Sequence, residues 1–197
     1  MPVEDASRLG ETIEAGTSSF TAQCYELYTI PPLGSLVKTI TGKIEIYGIV
    51  YHAATSGIDP GRKPIARGKD EPNEEAIYRI NPQLQKLLKS EFSAVVAGFR
   101  QDNNRFNYLP PQPARIHSFV YQCTREEVKE YGNSLAFLSI LLNSHLEISP
   151  EELIAAALRQ MSAEREDRRD FLLAAGKELA VLLSGQYARL KIILERL

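Results

Sequence analysis

A chain of 197 residues with 44% hydrophobic and 24% charged side chains is ordinary for a soluble globular protein, and is long enough for one generous domain or a barrel with a helical appendage. Its 23 basic and 25 acidic side chains give a formal charge of −2 with interleaved signs, and residues 151–197 carry eight of each. Duplex nucleic acid calls for a basic face that releases counterions, and no such block is visible, which argues against that class of partner.

Residues 1–17 hold four acids against one arginine and read as a flexible N-terminus that is neither a signal nor a transit peptide. Residues 20–28 are rich in aromatic and β-favouring side chains and predict a strand. Pro31 and Pro32 must interrupt it, because neither can donate to a ladder. Residues 36–40 and 44–51 predict two strands joined by a turn at Thr41-Gly42-Lys43. In the second, Ile44, Ile46, Gly48 and Val50 point one way, and Glu45, Tyr47, Ile49 and Tyr51 the other. Apolar groups on both faces fit a small closed barrel with something packed outside it.

Residues 56–75, with Gly57, Pro60, Gly61, Pro64, Gly68 and Pro72, read as one long loop, a feature that is often functional. Asn81-Pro82 predicts a helix start running to about residue 89, with Leu84, Leu87 and Leu88 inward. Residues 92–99 return to strand, 101–105 form a polar turn, and 116–123 complete the β-rich part. The period then changes. Thr124 and Glu127 make a capping box, and Val128, Tyr131, Leu135, Leu138 and Leu142 follow at helical spacing. Ser149-Pro150-Glu151-Glu152 opens a second helix with Leu153, Ala157 and Met161 as its stripe. A third, longer helix carries Leu172, Ala175, Leu179, Leu182, Gln186, Leu190, Ile193 and Leu197. Its seam slips near Gln186, and Gly176 and Gly185 predict close approach of another backbone. The apolar run 135–142 is too short to span a bilayer. The fold class is therefore α+β: a flexible segment over 1–17, a small β-barrel of about six strands over 18–123, and a three-helix unit over 124–197.

Chemistry-bearing motifs are scarce. Gly34 to Lys43 ends in Gly-Lys, but the spacing is too long for a phosphate loop and Ile44 stands where Ser or Thr should bind magnesium. His52, His117 and His145 have no ligand at zinc spacing, so no metal or cofactor is expected. Cys24 and Cys123 lie in apolar strands, where thiols are buried and inert, as suits a reducing, cytosolic compartment. No base and nucleophile are spaced for catalysis, although Asp59 or Glu71 would be the acids of an undetected hydrolase. Residues 164–170 read as a solvated helix start. Arg62, Lys63, Arg67 and Lys69, followed by Asp70, Glu71, Glu74 and Glu75, allow two readings. A forked arginine can grip a carboxylate or phosphate, which makes the loop a docking clamp. Alternatively the charges neutralise one another and Arg67 braces the barrel.

Residues 20–123 resemble the HAS barrel shared by HerA-type DNA translocases and rotary ATP synthase subunits. More closely, Ile46-Tyr47-Gly48-Ile49-Val50-Tyr51, Asp59-Pro60-Gly61-Arg62, Pro64-Ile65-Ala66-Arg67-Gly68 and Glu75-Ala76-Ile77-Tyr78-Arg79 resemble stand-alone HAS-barrel proteins of cyanobacteria. The resemblance implies a non-catalytic barrel that contacts neighbouring barrels or docks a partner, and no motor core accompanies it here. The functional expectation is a non-enzymatic adaptor or assembly protein. It would dock a protein partner, or a further copy of itself, through Asp59, Gly61, Arg62, Arg67, Lys69, Asp70 and Glu71. The alternative is a single-strand nucleic-acid binder using Tyr25, Tyr28, Tyr47 and Tyr51 as stacking rings.

Overall fold

The computed structural model describes residues 7–197. Seven strands come first, interrupted by one helix: β1 Arg8–Ala15, β2 Ser19–Cys24, β3 Leu36–Thr41, β4 Ile44–Gly57, α1 Glu74–Ile80, β5 Leu88–Gln101, β6 Asn104–Phe106 and β7 Phe119–Gln122. Five helices complete the chain: α2 Arg125–Gly132, α3 Phe137–Leu142, α4 Pro150–Ala163, α5 Arg168–Leu182 and α6 Tyr187–Leu194. Every strand pairing is antiparallel, and the order β2-β1-β7-β3-β4-β5 closes on itself through a β2–β5 ladder. The result is a closed six-stranded barrel, with β6 folded back on β5.

The alternation along β4 sorts two cores. Ile46 and Val50 join Phe20, Val37, Phe92 and Val120 inside the barrel. Tyr47 and Ile49 face outward with Leu36, Val95 and Ala97, and the helices cover them with Phe137, Leu141, Leu153, Leu158 and Leu179. That second core takes residues from both sides of position 123, so barrel and helices share one interior. Complete burial of such side chains contributes about 1.5–3 kcal/mol each, which makes this shared core the main adhesive. Backbones of the two parts come close together at Gly34, whose φ of +83° and missing side chain let α4 lie against the β2–β3 connection. A Cβ there would stand 2.4 Å from the carbonyl carbon of Ala156.

Several expected boundaries move. Of the expected flexible segment, residues 1–6 lie outside the described residues, while 8–15 form β1 between β2 and β7, with Leu9 and Thr12 buried. The predicted helix from Asn81 is a 3-10 turn, Pro82–Leu87, without a side-chain cap or a buried residue. The helix of this region is instead α1, capped by Asn73. The three C-terminal helices are five. The first divides between α2 and α3 after Gly132, and the last divides between α5 and α6 at Gly185, where φ is +78°. The seam slip at Gln186 thus marks a helix break. A Cβ on Gly185 would meet nothing within 4 Å, so that glycine serves the turn and not a close approach. Among the described residues, no helix is long and apolar enough to cross a membrane.

Candidate functional site

Strand lengths create the site. β3 pairs with β4 only between Leu36↔Ile49 and Thr41↔Ile44. Gly34 N–H donates to Val50 O (2.8 Å) and Val50 N–H to Ser35 O (3.0 Å) before the ladder stops. Next upstream are Pro31 and Pro32, which carry no N–H to continue it. β4 and β5 nevertheless remain paired out to Gly57↔Leu88, with β2 on the far side of β5 as far as Glu91, forming an arm in which His52, Ala53, Ala54, Thr55 and Ser56 are all exposed. The 58–73 segment and α1 sit at its tip.

The tip is tied down locally. Ile58 N–H donates to Leu87 O (2.9 Å) and closes the base of the excursion. Asp59 Oδ1 accepts from Gly61 N–H (2.9 Å) and Asp59 O accepts from Arg62 N–H (3.1 Å), so Asp59, Gly61 and Arg62 share one tight turn. A second turn links Glu71 N–H to Gly68 O at 3.2 Å. The Asn73 side chain caps α1 through Ala76 N–H (3.0 Å), and the Tyr78 and Tyr28 hydroxyls meet at 2.6 Å, fixing α1 to the β2–β3 connection.

Against this frame Arg62, Lys63, Arg67, Lys69 and Asp70 are exposed, and among the described residues none of them forms an ion pair. The expected neutralisation by Asp70, Glu71, Glu74 and Glu75 does not occur through contacts, and Arg67 does not brace the barrel. Ile58, Ile65, Ile80 and Leu87 are exposed on the same excursion, Ile65 at 72%. Exposed isoleucines interleaved with free cations suit capture of another chain better than solvation alone. The patterning of 56–75 makes the cations legible, whereas the apolar side chains beside them show no period that would mark them as exposed.

Elsewhere the charged groups are structural. Lys38 is buried under α2, where its amine contacts Glu127 and lies 3.1 Å from Glu45. Glu45 also accepts from Arg100 Nε (2.7 Å) and the Tyr47 hydroxyl (2.8 Å). Burial alone would lower the Lys38 pKa and raise that of Glu45. Hydrogen bonds from Lys38 to Glu127 and Glu45 reverse the first, and those to Glu45 from Tyr47 and Lys38 reverse the second. Glu127 completes the capping box of α2, with Thr124 N–H donating to its carboxylate at 2.9 Å. Within the expected solvated stretch 164–170, Arg165 is largely buried, donating to Lys129 O (2.9 Å) with its guanidinium over the Phe171 ring.

The four tyrosines proposed as stacking rings do not share a face. Tyr47 is buried against Tyr131 with ring centroids 5.1 Å apart, Tyr51 packs on the shared core, and only Tyr25 and Tyr28 are exposed. Cys24 and Cys123 are free, buried thiols in separate cores. Burial and then the nearby Glu91 charge push Cys24 up to about 11, and burial followed by Glu127 raises Cys123. Both are therefore poor nucleophiles at neutral pH. His52 and His145 line one open groove of about 750 Å³ with Glu14, Tyr51, Ser93 and Glu147, a juxtaposition hidden by the long sequence separation. Among the described residues, no group of three or more His, Cys, Asp or Glu is placed to hold a metal ion. Compared with known proteins, the chain matches no family model and no curated protein.

Proposed function

We propose that the protein is a non-enzymatic adaptor that docks a protein partner through the arm and tip of its barrel. The observation that carries this reading is the free cationic run Arg62, Lys63, Arg67 and Lys69, exposed among isoleucines on a tip held by local hydrogen bonds. Binding groups mounted on a rigid scaffold lose less entropy on association than a mobile loop would. The closed barrel agrees with the resemblance to stand-alone HAS barrels, whose known relatives use the domain for assembly. Two buried free thiols agree with a cytoplasmic location.

The test is recovery of the tagged protein under gentle lysis, before and after nuclease treatment, beside the Arg62→Ala/Arg67→Ala variant. A protein partner that survives nuclease, and whose recovery falls about tenfold or more in the variant, is expected, since two charge-assisted contacts contribute roughly 1.5–3 kcal/mol each. Thermal stability should not change, because both side chains are exposed and form no ion pair or hydrogen bond among the described residues. Unaltered capture by the variant would remove the docking role, and recovery of nucleic acid alone would favour the single-strand binder.

A further inference from the structure

The direction of each backbone group on the arm follows from one hydrogen bond. Val96 N–H donates to Ser18 O at 2.8 Å, so Val96 turns toward β2. Successive residues of a strand alternate, which turns Val95, Ser93, Glu91 and Lys89 toward β4. Their register partners Ile49, His52, Ala54 and Ser56 therefore turn toward β5, with Tyr51 the extra residue at the irregularity between Val50 and His52. Ile58 N–H donating to Leu87 O agrees with this parity. Ala53, Thr55 and Gly57 are left with N–H and C=O facing away from the sheet. Among the described residues, none of these three makes a backbone hydrogen bond on that side.

An unpaired edge is a template for a further strand, and proteins usually blunt it with Lys, Pro or an inward charge. Here the edge side chains are Ala53, Ala54, Thr55 and Ser56, small and uncharged, so another backbone can come within ladder distance. What belongs there follows from charge. A Cβ on Gly57 would stand 3.0 Å from Arg62 O, so the 59–62 turn lies beside the last edge residue and the cationic run begins there. Residues 60–69 contain four cations and no acid. The same 60–69 run of a second copy would meet it with four more cations, whereas an acidic segment supplies the carboxylates that forked arginines take.

We propose that the β4 edge at residues 53–57 receives an extended acidic segment of the partner as an added strand, its carboxylates held by the 62–69 run. The inference rests on the adaptor reading and specifies its mode. Backbone pairing supplies the affinity and the cationic run selects the segment and its direction.

The test selects a display library of random ten-residue peptides on the full-length protein, then measures synthetic copies of the enriched sequences. Enrichment of peptides alternating β-favouring residues with Asp or Glu is expected. Their binding should slow amide hydrogen exchange at Ala53, Thr55 and Gly57 by about tenfold or more. Ala53→Pro removes one outward N–H without touching the β4–β5 ladder, and should weaken binding about fivefold or more, the loss of roughly one hydrogen bond. If that variant folds poorly, exchange in the unsubstituted protein decides between the outcomes. Bound peptides that leave those amides unprotected overturn the proposal. So does binding that Arg62→Ala/Arg67→Ala abolishes and Ala53→Pro does not; that result leaves the adaptor reading standing. Failure of any peptide to enrich overturns strand addition, while the adaptor reading is still judged by co-purification. A doubling of mass with concentration that Ala53→Pro prevents assigns the edge to a second copy and overturns the acidic segment.

Discussion

Replacing Lys38 by methionine tests how the barrel and helices are joined. Methionine keeps most of the stem volume but removes the cation between Glu45 and Glu127, whose side chains are only 13% and 19% exposed. Stripping one partner from a fully buried pair costs about 3–5 kcal/mol. Glu45 retains Arg100 and Tyr47, and Glu127 retains the Thr124 amide, so the expected loss is smaller, about 2–3 kcal/mol. In a chain of this size that lowers the melting temperature by roughly 4–12 °C. Urea denaturation at pH 7 measures it directly. Acid behaviour gives an independent sign. The lowered Glu45 pKa contributes stability that is present above its ordinary 4.5 and lost as pH falls through the folded value. The raised Lys38 pKa contributes stability that is present below 10.5 and lost as pH rises through the folded value. Lys38 is among the groups that lower Glu45, so in Lys38→Met the acid loss should begin at a higher pH. Glu127→Gln preserves a capping-box side chain, and in the double variant the penalties should fall short of additive by roughly 1–2 kcal/mol. A single-variant loss below about 1 kcal/mol, with no coupling and an unmoved acid limb, would refute the reasoning.

Gly34→Ala should cost about 2–5 kcal/mol, combining left-handed backbone strain of roughly 1–2 with overpacking of about 1–3 against α4. Gly42→Ala is the control: φ there is +61° but nothing lies within 4 Å, so thermal melts should show only the strain, about 1–2 kcal/mol. Equal losses for the two would mean that α4 does not press on Gly34. Cys24 and Cys123 should resist a neutral-pH disulfide reagent in the folded protein and react fully in denaturant; rapid reaction of either native thiol contradicts its burial.

The barrel was legible because β4 alternates between two apolar sets, and only a sheet with cores on both sides needs that. The capping box at Thr124 placed α2, and the Ser149-Pro150 start placed α4, for equally local reasons. β1 is hard to read from the sequence because it is polar: Gly10, Thr12 and Glu14 give little alternation, and its strand state comes from pairing with β2 and with β7, the latter more than a hundred residues further along the chain. α1 was hidden by its acidic start inside a glycine- and proline-rich stretch, while Asn81-Pro82 drew the helix start too far along. Of the candidate site, the cations could be read from residues 62–69, but their lack of partners could not. The open edge was half legible: Pro31-Pro32 marked an interruption after the 20–28 strand, yet not that β4 would run on unpartnered past the start of β3.

The shared core also sets an order of events during synthesis. The barrel closes through Glu11↔Phe119 and its neighbours, so no closed structure exists until the chain has been made past residue 122. Even then Leu36, Tyr47, Ile49 and Val95 present an apolar outer face whose cover extends to Leu183 and Ile193. At about 5–20 residues per second, the 71 residues from 122 to 193 take roughly 4–14 s. For that interval the nascent chain exposes a β-rich apolar surface of the kind chaperones hold, and ribosome pausing after position 122 should raise its aggregation more than pausing anywhere later.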